Sequence, residues 1–97
     1  MTRVFFLTGS SRGLGRHIAE AALAEGHRLV ATARRTSDLV DLVARYGDQV
    51  LPVALDVTDP AAAVAAVAAG VEAFGRIDVV VNNAGYATWL RWRTSRP

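Results

Sequence analysis

Three glycines and two serines lie within residues 8–15, TGSSRGLG. An apolar run, Val4–Leu7, precedes them, and a helix-like sequence follows them. A glycine loop between a strand and a helix can hold a phosphate, because its backbone N–H groups and the positive end of the helix dipole face the same anion. A plain flexible turn has a similar composition. The predicted strand and helix on either side of the loop therefore distinguish a phosphate-binding loop from a flexible turn.

The spacing of the three glycines suits a dinucleotide. Gly9 permits a sharp turn after the strand, Gly13 lets the backbone approach a pyrophosphate, and Gly15 allows the helix to pack closely against the strand. The hydroxyl groups of Ser10 and Ser11 add donors. With a strand before the loop and a helix after it, we favour the phosphate interpretation over the turn.

Four apolar runs alternate with three helical patterns. Residues 3–7, 28–33, 50–55 and 77–81 are predicted to be strands, although Pro52 weakens the middle of the third. Helices are predicted over residues 14–25, from Thr36 or Ser37 as N-cap, and from residues 58–60, where a cap is followed by proline. The predicted apolar faces of the helices are Leu14, Ile18, Ala21 and Ala22; Leu39, Leu42, Val43 and Tyr46; and Val64, Val67, Val71 and Phe74.

The fourth run, IDVVV, has almost no polar alternation, which indicates a strand that is covered on both faces. Strands of this kind, separated by helices, predict an α/β fold: a parallel sheet with helices on both faces. Ligands bind beyond the carboxyl ends of the strands in such sheets.

Three motifs in this order resemble the short-chain dehydrogenase/reductase family. They are Thr-Gly-x-x-x-Gly-x-Gly at residues 8–15, Asp56-Val57 after the third strand, and Asn-Asn-Ala-Gly at residues 82–85. The resemblance implies a partial Rossmann fold, a doubly wound parallel sheet with four strands in the order 3-2-1-4. It also implies that Asp56 binds the adenine amino group, with a backbone amide beside it, and that residues 82–85 lie along the adenine ribose. The predicted cofactor-binding residues are Gly9, Ser10, Ser11, Arg12, Gly13, Leu14, Gly15, Arg34, Asp56, Val57, Asn83, Ala84 and Gly85.

Two of these candidates have a structural alternative. Asp56 could cap the following helix, but Thr58 and Asp59 already supply a cap, so we favour binding. Asn82 and Asn83 could form a turn. We assign that structural role to Asn82 and the cofactor contact to Asn83.

The charge after the second strand indicates which dinucleotide is bound. An NAD site has an acidic residue there to accept from the ribose 2′-OH, and that acid would repel a 2′-phosphate. This chain has Ala33 followed by Arg34, whose planar guanidinium pairs with phosphate, and Arg12 is placed to assist. We therefore predict NADP rather than NAD. Arg16 and Arg35 are expected to be solvated surface residues.

The residues that perform catalysis in the family do not occur in this chain. The family uses a Ser, an Asn and a Tyr-x-x-x-Lys pair, in which the lysine lowers the pKa of the tyrosine. Tyr46 and Tyr86 are followed four positions later by Val50 and Leu90, and the chain has no lysine. No residue is therefore predicted to be catalytic.

The end of the chain departs from the family pattern. The family continues after residue 87 with an apolar-Pro-acidic stretch, whereas residues 88–97 read TWLRWRTSRP. One coding possibility for this segment, read in another frame, gives Leu-Ala-Pro-Val-Glu-Asp-Val-Pro. We therefore interpret residues 1–87 as the N-terminal part of an NAD(P)-binding domain and residues 88–97 as an aberrant tail from a truncated or frameshifted reductase gene. Downstream genomic sequence without a Tyr-x-x-x-Lys segment in any frame would contradict this hypothesis.

Composition excludes several other functions. The net charge of +2 arises at the end of the chain, since eight arginines face nine acidic residues up to Tyr86; a nucleic-acid partner is not predicted. No apolar window is long enough for a membrane span, and no leader is recognised, so we expect a cytoplasmic location. The chain has no cysteine and only two histidines, His17 and His27, so no disulfide or metal site is predicted.

These observations predict the cofactor-binding part of an NADP-dependent oxidoreductase, inactive by itself. The alternative is a non-catalytic module that binds NADP(H) or associates with a partner, including a second copy, through an exposed edge of the fourth strand. A P-loop phosphate transferase is disfavoured because the glycine loop lacks the Gly-Lys-Ser/Thr ending.

Overall fold

The computed structural model describes residues 2–9, 13–56 and 58–81, together with the backbone of residues 91–92. The strands are β1 (Val4–Leu7), β2 (Arg28–Ala33), β3 (Val50–Ala54), β4 (Val79–Val81) and β5 (Arg91–Trp92). The helices are α1 (Gly13–Ala24), α2 (Val40–Tyr46) and α3 (Pro60–Phe74). Two 3₁₀ turns, Thr36–Leu39 and Gly47–Gln49, flank α2.

Strand β1 lies between β2 and β4 in a sheet of order β3-β2-β1-β4-β5. The first four strands are parallel, and Leu7 of β1 is opposite both Ala31 and Val81. The predicted α/β class and the order 3-2-1-4 are therefore confirmed. Pro52 is accommodated because β3 is an outer strand of this sheet and pairs only with β2.

The environment predicted for β4 was wrong. We expected it to be an edge strand, but β5 pairs with it in an antiparallel ladder, with Trp92 opposite Val80 and Arg91 opposite Val81. An edge strand offers unpaired N–H and C=O groups, so even a short extended segment can satisfy part of them. The separation of residues 88–97 as an aberrant tail stays a prediction.

Helices cover both faces of the sheet, as the sequence predicted. On one face α1 and α2 pack over a cluster of buried residues: Leu7, Ala19, Leu23, Leu29, Ala31, Ala33, Leu39, Leu42 and Val50. On the other face α3 packs over a second cluster: Val4, Phe6, Val30, Leu55, Ala66 and Ile77. Alternate residues of β1 and β2 thus belong to opposite cores, which is the consequence of the two-residue period of a strand.

The predicted apolar face of α3 was wrong in part. Val64 and Val71 are 71% and 42% exposed, whereas Ala66 and Gly70 are buried against the sheet. A Cβ added at Gly70 would lie 2.6 Å from the Val30 Cγ2 atom. Because this close contact requires small residues, Ala66 and Gly70 face the sheet, and Val64 and Val71 stay outside. Phe74 and Val67 do pack against this core as predicted.

The inward face of α1 and the cap of the segment before α2 also differ from the prediction. Leu14 is 66% exposed and Ala21 is exposed, while Ala19 and Leu23 are buried in their place. The segment before α2 begins as a 3₁₀ turn with Arg35 at the N-cap, which makes no side-chain capping bond, so neither Thr36 nor Ser37 is the cap. The predicted inward face of α2 is confirmed, since Leu39 and Leu42 are fully buried.

A buried carboxylate joins β4 to β1 at the amino end of the sheet. Asp78 is 7% exposed, and its Oδ2 atom accepts hydrogen bonds from the Val4 N–H at 2.8 Å and from the Arg76 Nε–H at 2.9 Å. Arg76 also donates to the Thr2 carbonyl. Burial by itself raises the pKa of Asp78, but these hydrogen bonds outweigh it and hold the pKa below its ordinary value.

We predict that Asp78→Asn destabilises the protein in a pH-dependent way. At about pH 7 the free energy of unfolding should fall by about 1–3 kcal/mol, because hydrogen bonds to a charged group are lost. A carboxyl whose pKa is lower in the folded state stabilises the fold above about pH 4 and loses that effect as the pH falls through the folded pKa. The difference from the unsubstituted protein should therefore narrow between about pH 7 and pH 3 in denaturant unfolding experiments.

The matched control is Asp48→Asn, which neutralises an exposed acidic residue in the turn after α2. Its unfolding free energy should remain near that of the unsubstituted protein. A loss for Asp78→Asn that is constant across this pH range would contradict the role assigned to its charge.

Within the described ranges, no helix combines the length and the apolar character that crossing a membrane requires.

Candidate functional site

The carboxyl ends of β1, β2 and β3 bring the described candidate residues to one edge of the sheet. Gly9 follows β1, Arg34 follows β2 and Asp56 follows β3. These three strands are adjacent and parallel, so the residues that follow them share this edge. The predicted contacts Ser10, Ser11, Arg12, Val57, Asn83, Ala84 and Gly85 lie outside the described residues, as does Asn82.

The two described ends of the glycine loop both have positive φ angles. Gly9 has φ 66° and Gly13 has φ 65°, a left-handed conformation that other residues adopt only with strain. Gly13 begins α1, and Gly15 is buried in the first turn of that helix. The exposed Leu14 side chain lies between them and does not contribute to the core.

The first turn of α1 is suited to an anion. Its N–H groups have no carbonyl partner within the helix, and the helix dipole adds positive potential there. No acidic residue occurs in that turn. A Cβ built on Gly13 has no heavy atom within 4 Å, so the backbone there is open to approach. Backbone donors beside an accessible glycine are what a pyrophosphate needs.

Two hydrogen bonds that the sequence analysis missed hold the base of the loop. The buried Thr32 hydroxyl donates to the Leu7 carbonyl at 2.9 Å, and the Thr8 N–H donates to the Val81 carbonyl at 3.1 Å. They tie the end of β1 to both of its neighbours, β2 and β4. The one signal in the sequence was a hydroxyl side chain, Thr32, inside the otherwise apolar part of β2.

Asp56 is an ionised acceptor at this edge. Its Oδ1 atom accepts from the Thr58 hydroxyl at 2.7 Å and from the Thr58 N–H at 3.0 Å. These bonds, with a smaller contribution from the charge of Arg34, hold the pKa of Asp56 below its ordinary value. The cap of α3 is Asp59, which accepts from the N–H groups of Ala61 and Ala62. We predicted that Thr58 and Asp59 supply this cap and that Asp56 does not, and Asp59 is the capping residue.

Arg16 is not the solvated surface residue that we expected. Its side chain is 20% exposed, and its guanidinium donates to Glu20 in the next turn of α1, with Nε and Oε2 separated by 2.9 Å. The same guanidinium donates through Nη2 to Asp41 at the start of α2. Asp41 first and Glu20 second raise the pKa of Arg16, and Arg16 lowers the pKa of Asp41. Arg35, by contrast, is exposed as predicted.

Metal chemistry receives no support from the described residues, where no three histidine, aspartate or glutamate side chains converge. The arrangement that they do form is an anion site at the start of α1, an arginine at the end of β2 and a carboxylate at the end of β3. A dinucleotide offers chemically matching groups, namely a pyrophosphate, a ribose and an adenine amino group.

Comparison with known proteins identifies the class. The sequence profile of the family described as short chain dehydrogenase matches residues 3–94. The chain therefore belongs to the short-chain dehydrogenase family, as its three motifs indicated. It is similar to "Oxidoreductase BOA17" of Botryotinia fuckeliana (strain B05.10), with 59% identity over 88 residues, covering 90% of this chain and 32% of the relative.

A second relative and two solved structures are also similar to this chain. "Probable NADP-dependent dehydrogenase in aabA 3'region" of Dichelobacter nodosus is 40% identical over 84 residues, which is 87% of this chain and 79% of that protein. A crystal structure of a short-chain dehydrogenase from Streptomyces avermitilis matches 87% of this chain and 31% of its own, with 49% identity and a TM-score of 0.83. The C-domain of a bacterial malonyl-CoA reductase with NADP matches 88% of this chain and 15% of its own, with 34% identity and a TM-score of 0.81.

The chain is short beside several of its relatives. It spans 32% of the first relative and 28% of another, "Oxidoreductase calM" of Penicillium decumbens. The activities of those longer proteins are therefore not assigned to this chain.

Proposed function

We propose that this chain is the NADP-binding part of a short-chain oxidoreductase. The observation that supports this most directly is the alignment of three site elements at one sheet edge: the left-handed glycines before α1, Arg34 after β2 and Asp56 after β3. In this proposal the N–H groups of the first turn of α1 bind the pyrophosphate. Asp56 accepts from the adenine amino group, and Arg34 pairs with the 2′-phosphate.

The preference for NADP is supported by charge. Arg34 is exposed directly after β2, where an NAD site would carry an acidic residue. Its electrostatic interaction with Asp56 indicates that the two side chains are near each other. That arrangement offsets the repulsion between the carboxylate and a 2′-phosphate. The names of two similar proteins, one described as NADP-dependent and one solved with NADP, agree with this choice.

We further propose that the chain does not catalyse hydride transfer by itself. NADP(H) supplies or accepts the hydride when it is bound, but proton transfer to or from the substrate needs a protein group tuned for it. The chain has no lysine to lower the pKa of a tyrosine. Its contribution is limited to binding and orienting the dinucleotide.

A second candidate is a non-catalytic module that binds NADP(H) or associates with a partner. The exposed valines of α3, Val64 and Val71, favour it, because exposed apolar side chains in one region often mark an interface. Association through β4 would require the displacement of β5, which already pairs with that edge.

We predict that the purified protein binds NADPH more tightly than NADH and that Arg34→Ala removes this preference. Loss of the charge-assisted pair should weaken NADPH binding by about tenfold and leave NADH binding within about twofold. Titration followed by tryptophan fluorescence, and separately by the shift in melting temperature, measures both affinities.

The matched control is Arg35→Ala, which removes the neighbouring exposed arginine and should preserve the preference for NADPH. Equal losses of both dinucleotides in Arg34→Ala would overturn the assignment of Arg34. A folded protein that binds neither dinucleotide would overturn the proposed function.

We also predict no turnover of carbonyl substrates with NADPH above the rate without protein. The physical reason is that neither Tyr46 nor Tyr86 has a lysine four positions later. The assay follows NADPH absorbance, with Tyr46→Phe and Tyr86→Phe prepared in parallel. Turnover that one of these substitutions abolishes would contradict the proposal and identify a proton donor.

A further inference from the structure

We propose that the Arg16–Asp41 ion pair positions the β2–α2 segment, residues 34–39, against the start of α1 and thereby helps to select a dinucleotide with a 2′-phosphate. The inference rests on the proposed function. It assigns Arg16 and Asp41 as positioning residues, which act through Arg34 and do not themselves contact the ligand.

The pair connects the two elements that a phosphorylated dinucleotide would bridge. Arg16 follows Gly15 directly, in the first turn of α1, where the pyrophosphate would bind. Asp41 lies at the start of α2, which continues the 3₁₀ turn of the β2–α2 segment. The bond between the Arg16 Nη2 and Asp41 Oδ2 atoms therefore sets the separation of the anion site and the segment that carries Arg34.

A hydrogen bond within α1 also restrains the Arg16 side chain. The Arg16 Nε–H donates to Glu20 one turn later in the same helix, and only 20% of the arginine side chain is exposed. A guanidinium held at one side of its planar fork loses less freedom when its other side binds. The connection to Asp41 is thus more than a contact between two freely moving surface side chains.

The β2–α2 segment has few other anchors among the described residues. Leu39 is fully buried and fixes the depth of its end in the core. Residues 34–38 are exposed, and Arg35 at the N-cap makes no side-chain capping bond. Leu39 packs with residues of the sheet and both helices, so it holds the segment from the core side. The ion pair adds a restraint at the surface, between the start of α1 and the start of α2.

This restraint affects the two dinucleotides differently. NADP⁺ must reach the start of α1 with its pyrophosphate and Arg34 with its 2′-phosphate at the same time, whereas NAD⁺ lacks the second requirement. Holding the two protein sites at a fixed separation before binding lowers the entropic cost of the double contact. Loss of the restraint should therefore weaken the binding of NADP⁺ more than that of NAD⁺.

The test is the Asp41→Asn variant, in the full chain, with the dissociation constants of NADP⁺ and NAD⁺ measured separately. We expect NADP⁺ binding to weaken about three- to fivefold, the scale of one partly exposed ion pair, with NAD⁺ unchanged within the error of the titration. The direction of the change in NADP⁺ affinity separates two explanations. Removing a negative charge near a phosphate would by electrostatics alone strengthen NADP⁺ binding, so a weaker affinity points to position and not to charge.

Two further variants separate these effects. Asp38→Asn makes the same change of charge in the adjoining β2–α2 segment, on an exposed residue that does not pair with Arg16, and should not weaken NADP⁺ binding. Asp41→Glu keeps the acid and should recover at least part of the affinity. Melting temperatures without ligand report whether any variant loses stability.

Each outcome has a distinct meaning. An unchanged or stronger preference for NADP⁺ in Asp41→Asn overturns the inference. A parallel loss of both dinucleotides with a lower melting temperature also overturns it, because the pair would then serve stability alone. If the unsubstituted protein binds neither dinucleotide, the proposed function fails first, and the inference fails with it.

Discussion

The parallel pairing of β1 with both β2 and β4 is the constraint on which the rest of this structure depends. Because β1 is central, its register sets where all the carboxyl ends lie: Leu7 is level with Ala31 on one side and with Val81 on the other. The glycine loop leaves the sheet at that level. Each described candidate contact that follows a strand is brought to the same edge by backbone hydrogen bonds, before any side chain of the site takes part.

The two ends of this sheet are stabilised in different ways. At the amino end, the buried Asp78 carboxylate binds a backbone N–H of β1 and the guanidinium of Arg76, which gives a closed and fully paired arrangement. At the carboxyl end, Thr32 fixes the last residue of β1, while Gly13 beyond it keeps an open backbone. The closed end of the sheet thus lies opposite the end beyond which ligands bind in open parallel sheets.

Helix packing on the two faces follows from side-chain size. The face below α1 and α2 is filled by leucines that insert between the elements. The face below α3 is approached closely, because Gly70 leaves no atom where a Cβ would meet Val30. This close approach reverses part of the expectation from hydrophobicity, since Val64 and Val71 are exposed while Ala66 and Gly70 are buried. Volume, and not only apolar character, decides which side of an alanine-rich helix is buried.

The sequence by itself determined the class of fold, which follows from local periodicity, and the strand order, which the resemblance of its motifs to the short-chain dehydrogenase family implied. It also predicted that Thr58 and Asp59 supply the cap of α3, a contact within one helical turn that Asp59 makes. Only the tertiary structure decided the inward face of α3, the pairing of β5 with β4, and the roles of Thr32, Asp78 and Arg16. Each of these depends on an atom contributed by a residue distant in the sequence, such as Asp41 for Arg16, 25 positions later. No local pattern encodes such a pairing, and it exists only after the sheet has brought the helices together.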